Sequence, residues 1–501
     1  MSLDLGVSMP RYARRWAAVT ALALLFATAC TGAKLPKADA PGGSDALVQG
    51  SATPGAPGSA APSAGATTAA PGQPGTGKPG AGGPGKPGTG TTGPTSGGPG
   101  GGPTTGGERP PPPHDVAGDL HLFDGGANTR GITNDTITLC AHAALTYGAA
   151  FNTSKEDFNV FWQNLNDSGG VFGRRVEATY ENDNYEPPTA VQAATTCQGR
   201  NPFAILGGIG FDQIPAVRNW AEANKELYLY HDATVRGSEG KQYSFSSLPT
   251  VERLGEMFAQ LAVQKFKGKK IGILYRNSEF WAPGFDAFMR HAKANGLNIG
   301  KAIPVENKQA NYGQQLLALQ QDGTEVVWAW ENALAATEML NQAPPGFRPS
   351  WMLFPFNLTT QTITNQNLDL YGVAAWPAYS YRDYGGGFAS YAADVKEFER
   401  QYAKYRPNAD LSGVGGDLLF LNWVGQKALA DLLVQCGAAC TRNHFATLMS
   451  RYKGTVRPNC EANFRDRGGH LGGTQVNVFH SYRGPSGKLG WEPIAKCVDH
   501  L

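Results

Sequence analysis

Short apolar segments of this sequence are followed by glycine, acidic and hydroxyl residues of the kind that bind small molecules. Residues 203–206 and 227–230 are two such segments, and a glycine-rich turn and an amphipathic segment lie between them. Strand, glycine turn, helix and strand make a parallel βαβ unit. Because ligands in an open α/β sheet bind outside the carboxyl ends of the strands, we expect a binding site at residues 208–212 and 231–234.

The side chains at this and the other predicted strand ends suit non-covalent binding. Carboxylates and a hydroxyl could bind a cationic or hydroxyl-rich solute, glycine lets backbone N–H groups approach it, and aromatic rings provide apolar contact. Asp212 could instead cap the helix that follows it, and the aromatic rings could instead pack in a core or a crossover. The candidate ligand-binding residues are Phe151, Gly210, Phe211, Asp212, Asp232, Thr234, Trp281, Trp330 and Glu331.

No assembled catalytic group stands out, so the sequence predicts no enzyme. It lacks H-E-x-x-H, G-x-S-x-G, Walker A and C-x-x-C motifs. His142 and His231 could bind a metal with nearby aspartates, but another strand separates their strand ends, so we predict no metal site and no cofactor. The net charge of +2 gives no case for a nucleic-acid partner.

The first 30 residues are typical of an export signal. Arginines at residues 11–15 precede the apolar run 16–26, which is too short to span a bilayer comfortably. The sequence Ala-Thr-Ala-Cys at residues 27–30 resembles a bacterial lipobox, which predicts lipidation of Cys30 and anchoring at the extracytoplasmic face of the cell membrane. The alternative is an ordinary secretory signal cut near Ala29.

Residues 31–113 are dominated by Gly, Pro, Ala, Ser and Thr and have almost no large apolar side chains. Such a segment cannot bury enough surface to offset its chain entropy, so we predict a disordered linker. Its r.m.s. reach is on the order of 45 Å for a Gly-like chain. The linker could let a folded domain stand away from a membrane, or it could be a low-complexity segment without that role.

Apart from Cys30, the sequence contains an even number of cysteines, and an even number in an exported chain suggests disulfides. The remaining cysteines allow about 15 pairings. Proximity alone favours Cys140–Cys197, Cys436–Cys440 and Cys460–Cys497.

From residue 131 onward, strand-like and helical segments alternate. Residues 153–165 have apolar side chains at helical spacing, and two series of alternating elements cover residues 136–234 and 251–376. This alternation predicts an α/β protein with two doubly wound parallel-sheet lobes.

Several segments also resemble a known family. Residues 164–173, Asn-Leu-Asn-Asp-Ser-Gly-Gly-Val-Phe-Gly, are similar to its "INxxGGIxG" element, and residues 181–183, 206–208 and 232–234 are similar to later elements in the same order. From about residue 131 to 491 the chain resembles the type I periplasmic solute-binding proteins, in particular the leucine/branched-chain amino-acid-binding family of ABC transporters.

The resemblance implies two lobes joined by three crossovers, which we place near residues 246–250, 375–379 and 480–487. It predicts a solute-binding domain at residues 114–501 after the signal at 1–30 and the linker at 31–113. Within that domain, lobe 1 would cover about 131–249 and 377–480, and lobe 2 about 250–376 and 481–501.

In that family, a loop after the third strand and a small-small-Thr stretch hold an amino acid. Here Thr234 is present, but residues 210–213 read Gly-Phe-Asp-Gln in place of a Ser/Thr-rich loop, and Glu331 follows its strand more closely than expected. We therefore carry over no amino-acid specificity and expect a small organic solute with an apolar or aromatic part.

Together, the resemblance and the lipobox predict a monomeric, lipid-anchored solute-binding protein that feeds an ABC permease. The alternative is a ligand-sensing or cell-wall interaction lipoprotein that has the same fold and no transport role.

Overall fold

The computed structural model describes residues 110–146, 153–208, 211–230, 241–353, 368–375, 379, 391–455, 460–465, 470–483 and 489–501. The predicted signal with Cys30, and nearly all of the predicted linker, lie outside these residues. Within the described ranges, no helix combines the length and the apolar content that crossing a bilayer requires.

The first lobe is a parallel sheet with helices between its strands, as the alternating pattern predicts. Its strands pair in the order β2-β1-β3-β4-β5. The elements are α1 (Gly126–Thr129), β1 (Thr136–Ala143), α2 (Lys155–Phe158), α3 (Val160–Asp167), β2 (Arg175–Asn182), α4 (Pro187–Gly199), β3 (Ala204–Gly207), α5 (Ile214–Asn224), β4 (Tyr228–Tyr230) and β5 (Ser244–Ser246).

The second lobe begins with another alternating series. Thr250 caps the first helix of this series by accepting from the backbone N–H of Arg253, which fixes where the helix begins. The elements are α6 (Val251–Lys265), β6 (Ile271–Arg276), α7 (Ala282–Ala294), β7 (Ile299–Val305), α8 (Gly313–Gln321), β8 (Val326–Trp330), α9 (Ala333–Asn341), β9 (Ser350–Leu353) and β10 (Asp369–Ala374).

The C-terminal part contributes to both lobes. Its elements are α10 (Ala392–Tyr405), α11 (Gly413–Cys436), α12 (Arg442–Arg451), β11 (Lys453–Thr455), β12 (Glu461–Asn463), β13 (Val476–Arg483) and β14 (Leu489–Val498). Two of the helices pack on the first lobe, where the Tyr402 hydroxyl donates to Asp157 O and Gln426 Nε2 donates to Phe158 O, each at 2.7 Å. The last two strands complete the second sheet, in the order β14-β13-β10-β9-β8-β6-β7.

The third crossover lies earlier in the chain than predicted. β13 pairs antiparallel with β10 from Asn477 to His480, so the chain has entered the second sheet before residue 480, and the boundary at 480–487 was wrong. The preceding segment runs beside the first crossover, where Ser246 N donates to His470 O at 3.0 Å and Gly472 N donates to Ser246 O at 2.8 Å. These bonds tie two of the connections between the lobes together.

The predicted helix at residues 153–165 is interrupted. Ser154 and Asp157 form a capping box at the start of α2, and α2 ends at Phe158 before α3 starts at Val160. The capping box fixes where α2 begins, and apolar periodicity alone does not reveal the interruption at Asn159.

The structure confirms the three disulfide pairs that sequence proximity favours. Cys140–Cys197 joins β1 to α4, Cys436–Cys440 closes the turn after α11, and Cys460–Cys497 joins the segment before β12 to β14. Bonds of this kind fit an oxidising, extracytoplasmic compartment.

Candidate functional site

The carboxyl ends of the first-lobe strands carry a buried polar network. His142 lies near the end of β1 and is 3% exposed. Its Nδ1 donates to the carboxylate of Asp183, which directly follows β2, and its Nε2 lies beside the hydroxyl of Tyr228 in β4, both at 2.8 Å. Both ring nitrogens are engaged within the protein. Among the described residues, no group of three or more His, Cys, Asp or Glu side chains could hold a metal ion.

The same network positions the turn between β3 and α5. Asp183 Oδ1 accepts from the backbone N–H of Tyr185 at 2.9 Å and from Gln213 Nε2 at 3.0 Å. Gln213 is fully buried and immediately precedes α5. The turn that begins at Phe211 is therefore held from within the first lobe.

A buried arginine–glutamate pair lies at the corresponding edge of the second lobe. Arg276 ends β6, Glu331 directly follows β8, and the register pairs Tyr275 with Trp330, so the two charged residues are neighbours. Arg276 Nη1 donates to Glu331 Oε1 at 2.7 Å, and Asn332 Nδ2 donates to the same oxygen at 2.8 Å. Glu331 Oε2 is buried and has no hydrogen-bond partner among the described residues.

Burial is the main cause of an unusual protonation equilibrium at Glu331. It raises the pKa of Glu331 from 4.5 to about 7, although the Arg276 guanidinium acts in the opposite direction. The Asp212 carboxylate adds to the rise. Two carboxyl groups share one guanidinium here, and one oxygen of Glu331 has no donor among the described residues, so the neutral form of Glu331 is favoured up to neutral pH.

Asp212 joins the two lobes. Its Oδ1 accepts from Ser278 Oγ at 2.8 Å, its Oδ2 accepts from Trp281 Nε1 at 3.3 Å, and Arg276 Nη2 lies 3.4 Å from Oδ2. All three donors belong to the second lobe, in the segment that ends β6 and leads into α7. The strand ends of the two sheets thus face each other and touch.

Aromatic side chains surround this contact. Phe211 stacks on Phe280 with a 5.2 Å centroid distance and meets Trp281 edge-on at 5.6 Å. Trp330 Nε1 donates to Trp281 O at 2.7 Å, and both tryptophans are fully buried. In this arrangement their rings support the ends of β6 and β8 and expose no face to a solute.

A second contact between the lobes lies at the surface. Lys308, which follows β7, pairs with Glu186 at 2.8 Å and donates to Asn184 O at 3.3 Å, both in the segment that follows β2. Tyr185 of that segment also lies under the Arg276 guanidinium, 5.8 Å from its ring centroid.

Five of the predicted site residues meet at this junction: Phe211, Asp212, Trp281, Trp330 and Glu331. Phe151, Gly210, Asp232 and Thr234 lie outside the described residues, as does His231.

Sequence reasoning missed Arg276, Ser278 and Lys308. Arg276 was detectable in principle, because a charge directly follows a predicted apolar strand. Its partner on the other lobe was not, because that contact depends on how the lobes meet.

The sequence profile of the periplasmic binding protein family matches residues 146–480, which is more than half of the chain. The chain belongs to the periplasmic binding protein family. Family membership agrees with the two α/β lobes, in which the ends of the parallel strands face each other.

Solved structures of periplasmic binding proteins share this fold. The chain is similar to a fatty acid ABC transporter substrate-binding protein from Thermomonospora curvata, with 17% identity over 74% of this chain and 94% of that chain, and a TM-score of 0.58. It is also similar to the branched-chain amino acid transporter substrate binding protein LivJ from Streptococcus pneumoniae in complex with isoleucine, with 15% identity over 72% and 99% of the two chains and a TM-score of 0.57.

A third similar structure is a solute binding protein of an ABC transporter from Rhodopseudomonas palustris in complex with 3,4-dihydroxy benzoic acid, with 14% identity over 73% and 98% of the two chains and a TM-score of 0.58. A search of the curated proteins found no match. At identities this low, the similarity shows the type I fold alone. It does not indicate which solute this protein binds.

Proposed function

We propose that this protein is the extracytoplasmic solute-binding component of an ABC importer and that it traps a small organic solute between its two lobes. The observation that carries the proposal is the junction at Asp212, where the strand ends of both sheets of a periplasmic binding protein meet. Ligands of open α/β sheets bind at such strand ends.

Closure would turn about the segments that connect the lobes. The first and third crossovers are joined by the backbone bonds of Ser246 with His470 and Gly472, so they would move as one hinge. The closed form would then be presented to a membrane permease as a monomer.

The solute would contact the loops that follow the strands of both lobes. We propose Phe151, Gly210, Phe211, Asp212, Asp232 and Thr234 as first-lobe contacts and Glu331 as a second-lobe contact, with Trp281 and Trp330 behind them. The half-buried Phe211 ring supports a solute with an apolar or aromatic part. One similar solved protein binds a dihydroxybenzoic acid, and another is named for fatty acids.

We further propose a lipid anchor at Cys30 and a flexible linker at residues 31–113, so that the protein works at the extracytoplasmic face of the membrane. Arg174 supports this arrangement, because its guanidinium donates to Thr133 O, Ala438 O and Pro111 O at 2.7, 2.7 and 3.2 Å. Those contacts attach the end of the linker at the amino ends of β1 and β2, opposite the edge with the candidate site. A Cys30→Ser protein that stays in the membrane fraction would refute the anchor.

A thermal-shift screen of amino acids, amides, aromatic acids and sugars tests the binding function. A solute that binds only the folded protein stabilises it and so raises the melting temperature. At a solute concentration of 100 times its Kd, the added free energy of unfolding is about 2.7 kcal/mol. We expect a shift from at least one class that carries an apolar or aromatic group.

The dense contact between the lobes at Asp212, Trp281 and Trp330 would also suit a ligand-sensing or cell-wall interaction protein with this fold. The absence of any shift across all four solute classes would favour that second function over transport.

A further inference from the structure

Asp212, in the turn between β3 and α5, directs its carboxylate to the second lobe and not to the start of α5. Aspartate is among the preferred capping residues, yet Gln213 occupies the cap position of α5 and no side chain caps the helix. The Asp212 carboxylate is instead surrounded by Ser278, Trp281 and Arg276 of the second lobe. Asp212 therefore does not cap α5, which was the alternative role considered for it.

Separation of the lobes would affect Asp212 and Arg276 unequally. Arg276 would keep Glu331, because both belong to the second lobe. Asp212 would lose all three of these second-lobe partners and would have to be hydrated. The closed arrangement is thus the one in which Asp212 has its charge-assisted bonds, which are stronger than bonds between neutral groups.

Burial distinguishes the Asp212–Arg276 contact from the ion pair between Lys308 and Glu186, which also joins the lobes. The Arg276 and Asp212 side chains are 4% and 7% exposed, whereas those of Lys308 and Glu186 are 45% and 42% exposed. Solvent and salt screen the outer pair, and exposed pairs contribute little. The stacking of Phe211 on Phe280 adds apolar contact beside the buried pair.

We propose that Asp212 and Arg276 form a latch that holds the two lobes closed when no solute is bound. This inference rests on the proposed function, because lobe closure is its mechanism. When the open and closed conformations of a protein have similar free energies, the loss of one buried contact changes their ratio measurably. Ser278 assists the latch by donating to Asp212.

Distance measurements on the solute-free protein test the latch. Gln192 in α4 and Gln314 in α8 are exposed, and both helices begin near the surface contact between Glu186 and Lys308, so their separation should grow when the lobes open. Spin labels on Gln192→Cys and Gln314→Cys in full-length protein that carries Cys30→Ser give this distance by pulsed electron paramagnetic resonance. We expect a short distance with the latch intact and a shift of population to longer distances in Asp212→Asn.

Lys308→Gln is the matched control, because it removes an ion pair between the lobes without touching the latch, and its distances should equal those of the parent protein. Ser278→Ala keeps every charge and should give a smaller shift in the direction of Asp212→Asn, which preserves the test if Asp212→Asn does not melt cooperatively. Parent-like distances in every folded latch variant would overturn the proposal.

These measurements use no solute, so their result is separate from that of the thermal-shift screen. Unchanged distances together with a stabilising solute would refute only the latch. Longer distances in Asp212→Asn with no stabilising solute would support the latch and refute the binding function.

Discussion

Glu331 makes the stability of the protein depend on pH near neutrality. Its pKa is about 7 in the folded protein, against 4.5 as the ordinary value, so between these pH values the folded protein holds a proton that the unfolded chain releases. The contribution to stability is fully present below pH 4.5 and is lost as the pH rises through 7. We expect this loss to be about 3 kcal/mol in the free energy of unfolding.

Urea unfolding at pH 5 and pH 8 measures this contribution. Glu331→Gln keeps the shape of the side chain and cannot ionise, so the difference in stability between the two pH values should shrink by most of that amount. Glu338→Gln, on the exposed face of α9, is the control and should retain the parent pH dependence. Identical pH dependence in Glu331→Gln and the parent would contradict the assignment.

At the scale of single residues, the sequence identifies which strand ends carry charge but not which charges meet. Asp212 and Glu331 could be named because each follows an apolar strand. The bond of Asp212 to Ser278 spans 66 residues and connects two lobes, so no local pattern encodes it. Trp330 was expected as a candidate for the cleft, and its full burial follows from packing against Trp281 and Phe258.

The contact between α6 and α7 sets the position of Trp281, which precedes α7. A Cβ on Gly255 of α6 would lie 2.0 Å from the backbone oxygen of Gly284 in α7, so the helices can pack this closely only with glycine there. We expect Gly255→Ala to lower the free energy of unfolding by about 1–3 kcal/mol, because two backbones must move apart.

Chemical denaturation of Gly255→Ala beside Gly199→Ala checks this prediction. Gly199 ends α4, and a Cβ there would meet nothing within 4 Å, so its substitution should leave stability nearly unchanged. Equal stability of the two variants would show that α6 and α7 can separate without cost.

At the scale of elements, alternation of strands and helices predicted both sheets, because each βαβ unit is a local pattern. No local sequence pattern indicates which of the two sheets residues 476–483 join. β13 pairs antiparallel with β10, which lies about a hundred residues earlier, and either lobe could have received a strand of this composition. The third crossover was therefore placed too late in the chain.

At the scale of the whole molecule, a parallel sheet and a mixed sheet meet at the carboxyl ends of their parallel strands, and the chain crosses between them through segments that hydrogen-bond to each other at Ser246. The family resemblance supplied this arrangement before the structure did. Composition and periodicity alone predict two α/β lobes but not that their strand ends face each other, since that depends on three connections distant in sequence.

Hydrogen–deuterium exchange with and without a stabilising solute is the most direct test of whether a solute is held between the two lobes. We expect the solute to slow exchange in both lobes at once, in the segments around residues 208–213 and around residues 276–282. Protection confined to one lobe, or located at the amino ends of the strands near Arg174, would contradict a solute held between the two lobes.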